Sequence, residues 1–203
     1  MGRPTRCMVT LCLLGLASCV VLLSGHGVRS ENRFQYTNPK EGDVAMTMTI
    51  TSSAFSHNGP IPAHCTCDGE DISPPLEWSG LPQRTKSLVL IVDDPDAPDP
   101  AAPKMTWVHW VLYNLPSSAV GLAEGVHAND LPARTKQGLN DWKRIGYGGP
   151  CPPIGRHRYF HKLYALDAVL PDLGKPTKRE LEKAMQGHIL AKAELVGTYQ
   201  RSR

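Results

Sequence analysis

Outside its first 30 residues the chain of 203 residues carries no surplus of either charge. Of its 22 basic residues, Arg3, Arg6 and Arg29 precede residue 31, which leaves 19 against 19 acids. A body of zero net charge without a basic run has nothing with which to displace the counterions of a nucleic-acid backbone, so nucleic acid is not an expected partner. Glycine and proline, 18 of each, fall short of the share that marks low-complexity disorder, and a collagen-like repeat or a coiled coil is excluded as well. The chain has no G-x-S-x-G elbow, no H-E-x-x-H, no phosphate-loop glycine pattern and no C-x-x-C pair. The common signatures of serine hydrolases, zinc peptidases, nucleotide-binding folds and dithiol redox proteins are therefore absent. No repeat and no linker divides residues 31–203, so one domain is expected.

What is present begins with a leader. Met1–Arg6 holds two arginines, and Cys7–Leu23 is apolar apart from Thr10 and Ser18. This pattern reads as a secretory signal over residues 1–30, with the body at 31–203. Leu16-Ala17-Ser18-Cys19 resembles a bacterial lipobox, the alternative in which residues 1–18 are removed and Cys19 is lipidated. An uncleaved anchor is the third option, although the apolar stretch is short for a bilayer span of roughly 20 residues. Each option places the body outside the cytoplasm, periplasmic or secreted. Three of the six cysteines lie in the leader, leaving Cys65, Cys67 and Cys151. An odd number allows one bridge and one leftover thiol. Cys65 and Cys67 are poorly placed to pair with each other. A bridge from one of them to Cys151 is expected in an oxidising compartment, with Cys67–Cys151 as the working assignment. A zinc site on His64, Cys65 and Cys67 would lack the second closely spaced ligand pair typical of such sites, so no metal is expected.

The body reads as β-rich. Val44–Ile50 alternates apolar and polar residues, Lys86–Val92 is a continuous apolar run, and Thr106–Leu115 and His157–Asp167 are rich in aromatic and β-branched residues. Leu195–Tyr199 is a weaker terminal strand. Thr177–Glu180 fits a capping box, and Leu181, Met185, His188 and Ile189 follow at helical spacing, with His188 expected as a packed histidine. An antiparallel sandwich with a peripheral C-terminal helix follows.

Three segments concentrate polar groups. Asp94-Pro95-Asp96-Ala97-Pro98 follows the apolar run, and its prolines hold the carboxylates stiffly. It lacks the glycine bend and closing glutamate of a calcium loop. Trp107-Val108-His109-Trp110 puts a histidine into an aromatic strand. Gly146–Tyr159 combines glycines, whose amides could converge on an anion, with stiffening prolines. His157 and Tyr159 at its end face one side of a strand.

Together these segments resemble the phosphatidylethanolamine-binding protein family, also called Raf kinase inhibitor-like proteins. The matching residues are Asp94-Pro95-Asp96-Ala97-Pro98, Trp107-x-His109-Trp110, Gly149-Pro150-x-Pro152-Pro153 and Gly155-x-His157-Arg158-Tyr159. Cys67-Asp68-Gly69 and Ser73-Pro74-Pro75-Leu76-x-Trp78 look like the bacterial YbhB/YbcL branch. The resemblance implies a two-sheet Greek-key sandwich with one small pocket for phosphate, phosphorylated headgroups or acetate-like anions. It maps the pocket walls onto Asp94, Asp96, His109, Pro152, Pro153, His157 and Tyr159. It further implies a binding protein without catalytic residues or cofactor, with a kinase or protease as a candidate protein target and homodimerisation as an option. Each aspartate is expected to accept a hydrogen bond from a histidine or an amide, which would raise the histidine pKa and tighten anion binding as pH falls through roughly 6 to 7. The alternative function is a phosphoester hydrolase using the paired carboxylates and histidines as acid and base.

Overall fold

The computed structural model describes residues 47–201. The leader, its cleavage and lipidation sites, and the start of the first expected strand at Val44–Met46 lie outside the described residues. No helix among the described residues is long and apolar enough to cross a membrane.

Among the described residues eight strands form two antiparallel sheets. In the smaller sheet β1 (Thr49–Thr51), β2 (Leu76–Ser79) and β5 (Gly121–Leu122) lie in the order β1-β2-β5. The larger sheet holds β3 (Ser87–Asp94), β4 (Trp107–Pro116), β6 (Lys136–Gln137), β7 (His157–Leu166) and β8 (Ile189–Tyr199), in the order β6-β4-β3-β7-β8. Every residue of β3 is buried, which accounts for its unbroken apolar sequence. Leu88, Leu90 and Val92 face the smaller sheet, in a core shared with Ile50, Leu76 and Trp78. Val89 and Ile91 face the other way, toward Leu181 and Met185 of α1 (Lys178–Met185). The result is three layers, with the helix covering the outer face of the larger sheet.

The capping box forms as the sequence requires. Glu180 Oε2 accepts from the Thr177 amide at 2.8 Å, and the Glu180 amide donates to Thr177 Oγ1 at 3.4 Å. The helix then stops at Met185, because Gly187 adopts a left-handed φ of +81°. His188 and Ile189 are therefore not on the apolar helix face. His188 is largely exposed, 2.9 Å from Asp167 Oδ1, and Ile189 opens β8. That strand begins well before Leu195 because residues 189–194 complete the ladder with β7.

Two features of the larger sheet position the polar residues. Val92 pairs with Trp110 but Asp93 pairs with Val108, so His109 is an inserted bulge residue. The bulge turns both His109 and Trp110 toward the inter-sheet side, whereas strict alternation would separate them. At the end of β3, Asp93 and Asp94 leave on opposite faces. Asp93, fully buried, accepts from Lys162 Nζ at 2.7 and 2.8 Å and from Lys178 Nζ at 2.6 Å. One carboxylate thus ties β7 and the first turn of α1 to the central strand. Removing one partner of a buried ion pair leaves the others uncompensated. Asp93→Ala is expected to lower unfolding free energy by about 3–5 kcal/mol, read from the urea midpoint, and Lys178→Met to cost clearly less.

Candidate functional site

Asp94, on the other face, starts the loop that leads into a cleft of about 390 Å³ at the end of the sandwich. Of the residues the sequence singled out, Asp94, His109, Pro152, Pro153 and His157 line it. Asp96 and Tyr159 do not. Ala97, Pro98, Trp107 and Cys151, named from the sequence but not as pocket walls, and Met105 and Trp142, not named at all, complete the lining. Met105 reaches the cleft because the amides of Lys104 and Met105 both donate to the Ala97 carbonyl, at 2.9 and 3.2 Å, folding the loop back. Trp142 is held by its neighbours. Asp141 Oδ2 accepts from the Val108 amide at 2.8 Å, and Asn140 bonds the Gly146 carbonyl and the Arg144 amide. Its ring meets Trp107 and His109 edge to face at centroid distances of 5.4 and 5.1 Å. The signal for Trp142 was an aromatic residue standing alone in the polar run Asn140–Arg144.

The carboxylates of the segment are engaged within the protein. Asp94 Oδ2 lies 2.7 Å from His157 Nδ1, and Asp94 Oδ1 accepts from the Asp96 amide at 2.8 Å. Asp96 points away from the cleft and accepts from the Arg158 amide at 2.9 Å, from Nε at 2.9 Å and from Nη2 at 2.7 Å. The guanidinium hydrogen bonds hold the Asp96 carboxyl below the usual range. Its partner is therefore an arginine, and Asp96 is a positioning residue that fastens the 94–98 loop to the start of β7.

The histidines depart further from the expectation. His157 is fully buried, and its Nε2 lies 2.9 Å from the Ile154 carbonyl, which accepts only. Both ring nitrogens are thereby occupied, and His157 offers a ligand its ring but no free N–H. His109 Nδ1 donates to the Gly148 carbonyl at 2.6 Å, again an acceptor only, and its Nε2 is buried with no partner among the described residues. Burial lowers the His109 pKa, against smaller opposing effects of the Gly148 carbonyl and the Asp94, Asp93 and Asp71 carboxylates. The expected rise is thus corrected: His109 Nε2 presents a neutral lone pair. The amides of Gly148 and Gly149 do not converge on the cleft either. They donate to the His109 carbonyl at 3.1 Å and to Asp71 Oδ1 at 2.6 Å. Gly149 passes so close to the Cys65–Thr66 backbone that a Cβ there would lie 2.6 Å from the Cys65 carbonyl oxygen.

Tyr159 packs behind the cleft, its ring 5.2 Å from His109 and 6.4 Å from His157. Its hydroxyl is buried without a partner, and burial pushes its pKa up. Two buried atoms are therefore unsatisfied here among the described residues, the Nε2 acceptor of His109, which lines the cleft, and the Tyr159 hydroxyl behind it. Two residues further along β7, His161 is fully buried with both ring nitrogens unpartnered, and burial lowers its pKa to about 4.

The cysteines sort cleanly. Cys67 and Cys151 form a disulfide with a Cα–Cα distance of 5.4 Å, aligned by the Cys67 amide donating to the Pro150 carbonyl at 3.1 Å. This removes Cys67 from the zinc set weighed with His64 and Cys65. Cys65 is a buried free thiol that burial, with Glu124 and Glu70, pushes up to about 11. His64, Cys65 and Glu124 place one donor atom each within 4.8 Å of one another, apart from the cleft.

Two measurements follow from these environments. His109 and His161 have folded-state pKa values below the unfolded value of 6.5, so as pH falls the unfolded chain takes up protons first. Stability is complete above about pH 6.5 and declines as pH falls below it, for His161 down to about pH 4 at about 1.4 kcal/mol per pH unit. Urea midpoints at pH 7 and 5 read this slope, and His161→Leu is expected to reduce it. Tyr159→Phe deletes a hydroxyl that has no partner in the protein, so its urea midpoint should not fall. The same variant should bind phosphate about 1.5–3 kcal/mol more weakly, the worth of one hydrogen bond to a charged group, measured by calorimetry.

Comparison with known proteins identifies the family. Residues 51–200 match the family "Phosphatidylethanolamine-binding protein". A UPF0098 protein of Methanothermobacter thermautotrophicus is 50% identical over 155 residues, 76% of this chain and 99% of that one. The crystal structure of a phosphatidylethanolamine-binding protein homologue from Chlamydia trachomatis superposes with a TM-score of 0.71 at 48% identity, covering 77% of this chain and 99% of that chain. Escherichia coli YbcL, described as a member of the mammalian family, gives 0.69 at 29% identity, covering 76% and 99%. The chain belongs to the phosphatidylethanolamine-binding protein family.

Proposed function

We propose that this protein is an exported, non-enzymatic binding protein whose cleft takes a small phosphate-type headgroup in its singly protonated form. The observation that carries the reading is a pair of buried atoms without partners among the described residues, Nε2 of His109, which lines the cleft, and Oη of Tyr159, whose ring packs against His109 behind it. Burying such atoms without partners costs about 1–3 kcal/mol each, which a bound ligand would recover. A neutral imidazole lone pair needs a donor, and a tyrosine hydroxyl can donate in turn. A hydrogenphosphate oxygen carrying its proton satisfies the first, and an adjacent unprotonated oxygen satisfies the second. The mouth above them, with Met105, Trp107, Trp142, Pro152 and Pro153, suits the apolar or planar part of the same ligand. Among the described residues no lysine or arginine lines the cleft, so in this reading recognition rests on hydrogen bonds and not on ion pairing.

The non-enzymatic reading rests on the same geometry. Acid–base hydrolysis of a phosphoester needs a carboxylate or imidazole free to move protons in both directions. Asp94, Asp96 and His157 are each held by partners inside the protein, which leaves His109 Nε2 as a single base with no carboxyl or imidazole free to act as the opposing acid. Export is supported by the apolar leader and by the Cys67–Cys151 disulfide, a bond that persists in oxidising compartments.

The test is calorimetric titration of the full-length protein with phosphate, phosphoethanolamine and acetate at pH 6 and 8, assaying free phosphate in the same cells. Phosphate monoester dianions take up the proton that makes them singly protonated near pH 6, so saturable binding should be tighter at pH 6 than at pH 8. Trp142→Ala, which opens the mouth, should weaken phosphoethanolamine without producing turnover. Release of phosphate would favour the hydrolase, and equal affinity at both pH values would remove the protonated ligand oxygen from the account.

A further inference from the structure

A second group of side chains, away from the cleft, has the composition of a metal centre. His64 and Cys65 sit in a 3-10 turn, Ala63–Cys65, and Glu124 follows β5. Two backbone hydrogen bonds bring these segments together. The Ile72 amide donates to the His64 carbonyl at 3.4 Å, and the Gly125 amide donates to the Ser73 carbonyl at 2.8 Å. Glu124 is thereby carried over the turn, its Oε1 2.8 Å from His64 Nε2. The Cys65 thiol completes a triangle of sulfur, nitrogen and oxygen donors, all within 4.8 Å of one another.

We propose that His64, Cys65 and Glu124 form a binding site for a borderline divalent cation of the zinc class. The donor set decides the class. A thiol and an imidazole exclude magnesium and calcium, which take oxygen ligands, and the mixture with one carboxylate is typical of zinc. Three protein donors leave a fourth tetrahedral position for water. Access is given from outside, because the His64 and Glu124 side chains are 41% and 45% exposed while Cys65 is buried beneath them. The local field has the right sign, since Glu124 and Glu70 act together on Cys65 as negative charges. An exposed histidine–glutamate pair on its own adds little to stability, about 0–1 kcal/mol, and gives no reason for a free thiol at its base. On binding, the metal–sulfur bond replaces the S–H bond of Cys65 and that proton leaves to solvent. The Nε2 proton that His64 donates to Glu124 is exchanged through solvent to Nδ1, which frees the Nε2 lone pair, and metal–nitrogen and metal–oxygen bonds replace the His64–Glu124 hydrogen bond. The Cys67–Cys151 disulfide is unchanged, so no oxidant or reductant takes part.

Cobalt(II) is the probe, because a cobalt–thiolate bond produces a charge-transfer band in the near ultraviolet and four-coordinate cobalt absorbs strongly in the visible. The metal-free full-length protein, kept without reductant so that the disulfide stays closed, is titrated with cobalt(II) and then with zinc(II). One equivalent should produce both signals, and zinc should abolish them. Cys65→Ala should lose the charge-transfer band. Glu124→Gln and His64→Asn should each weaken binding by no less than the ~10–100-fold typical of losing an outer-shell partner. These last two replace exposed side chains, so they decide the matter even if Cys65→Ala does not fold. They also distinguish this site from the leader thiols Cys7, Cys12 and Cys19. Zinc should raise the melting temperature of the wild type and leave that of Glu124→Gln unchanged. A missing band at one equivalent, a full band in Cys65→Ala, or unaltered affinity in Glu124→Gln and His64→Asn would each overturn the proposal. The cleft variants Tyr159→Phe and Trp142→Ala should bind cobalt as the wild type does.

Discussion

The structure turns on two adjacent carboxylates at the end of a strand that is buried on both faces. The apolar run of β3 ends in Asp93 and Asp94, neither of which reaches solvent. Pleating sends them to opposite sides of the sheet, and each must be neutralised where it lands. Asp93 draws Lys162 from β7 and Lys178 from the helix. Asp94 draws His157 from β7 and the amide of Asp96. The position of the helix, the start of β7 and the course of the 94–98 loop all follow from satisfying these two charges. Asp96 and Arg158 repeat the device at the margin, a bidentate clamp that keeps the loop against β7.

This solution determines what the cleft can offer. Because Asp94 and His157 answer one another, and His157 also donates to Ile154, neither is left for a ligand. The glycine amides of the 146–149 loop serve the His109 carbonyl and Asp71. What remains unsatisfied is neutral: the second nitrogen of His109 and the hydroxyl of Tyr159. A site so composed distinguishes ligands by the placement of protons more than by charge. In the proposed function an anion would be tolerated because the two aspartates nearby are already compensated, and would be held because two buried polar atoms gain partners.

Much of the fold was legible in the sequence because it depends on local rules. The apolar run of β3, the aromatic strands β4 and β7, and the capping box at Thr177 are patterns of period or spacing, and the structure places them within a residue or two. Where tertiary pairing decides, the sequence misled. The first half of β8 has no clean alternation, yet it is strand because β7 lies beside it. His188 follows the helical spacing, but Gly187 ends the helix first. At the site, the family resemblance pointed to Asp94, His109, Pro152, Pro153 and His157. It could not show that a bulge turns His109 inward beside Trp110, or that Asp96 faces an arginine. The direction of the His109 shift was misjudged for a related reason. The nearby carboxylates were visible in the sequence, but the burial that outweighs them was not.

The cysteines carry the same lesson into chemistry. Counting gave one bridge and one leftover thiol, and left open which member of Cys65-x-Cys67 would pair. The fold decides through backbone contacts: the Cys67 amide binds the Pro150 carbonyl and brings its side chain to Cys151, while the Cys65 carbonyl accepts from Tyr147 Oη at 3.0 Å. Cys67 therefore anchors Cys151 in the wall of the cleft, and Cys65 lies with His64 and Glu124. Two cysteines two residues apart thus serve different neighbourhoods, one covalently fixed and one retaining its thiol. The glutamate that completes the second neighbourhood lies 60 residues from His64, a separation over which no spacing rule reaches. It is the docking of Gly125 on Ser73 that makes the three side chains a single group.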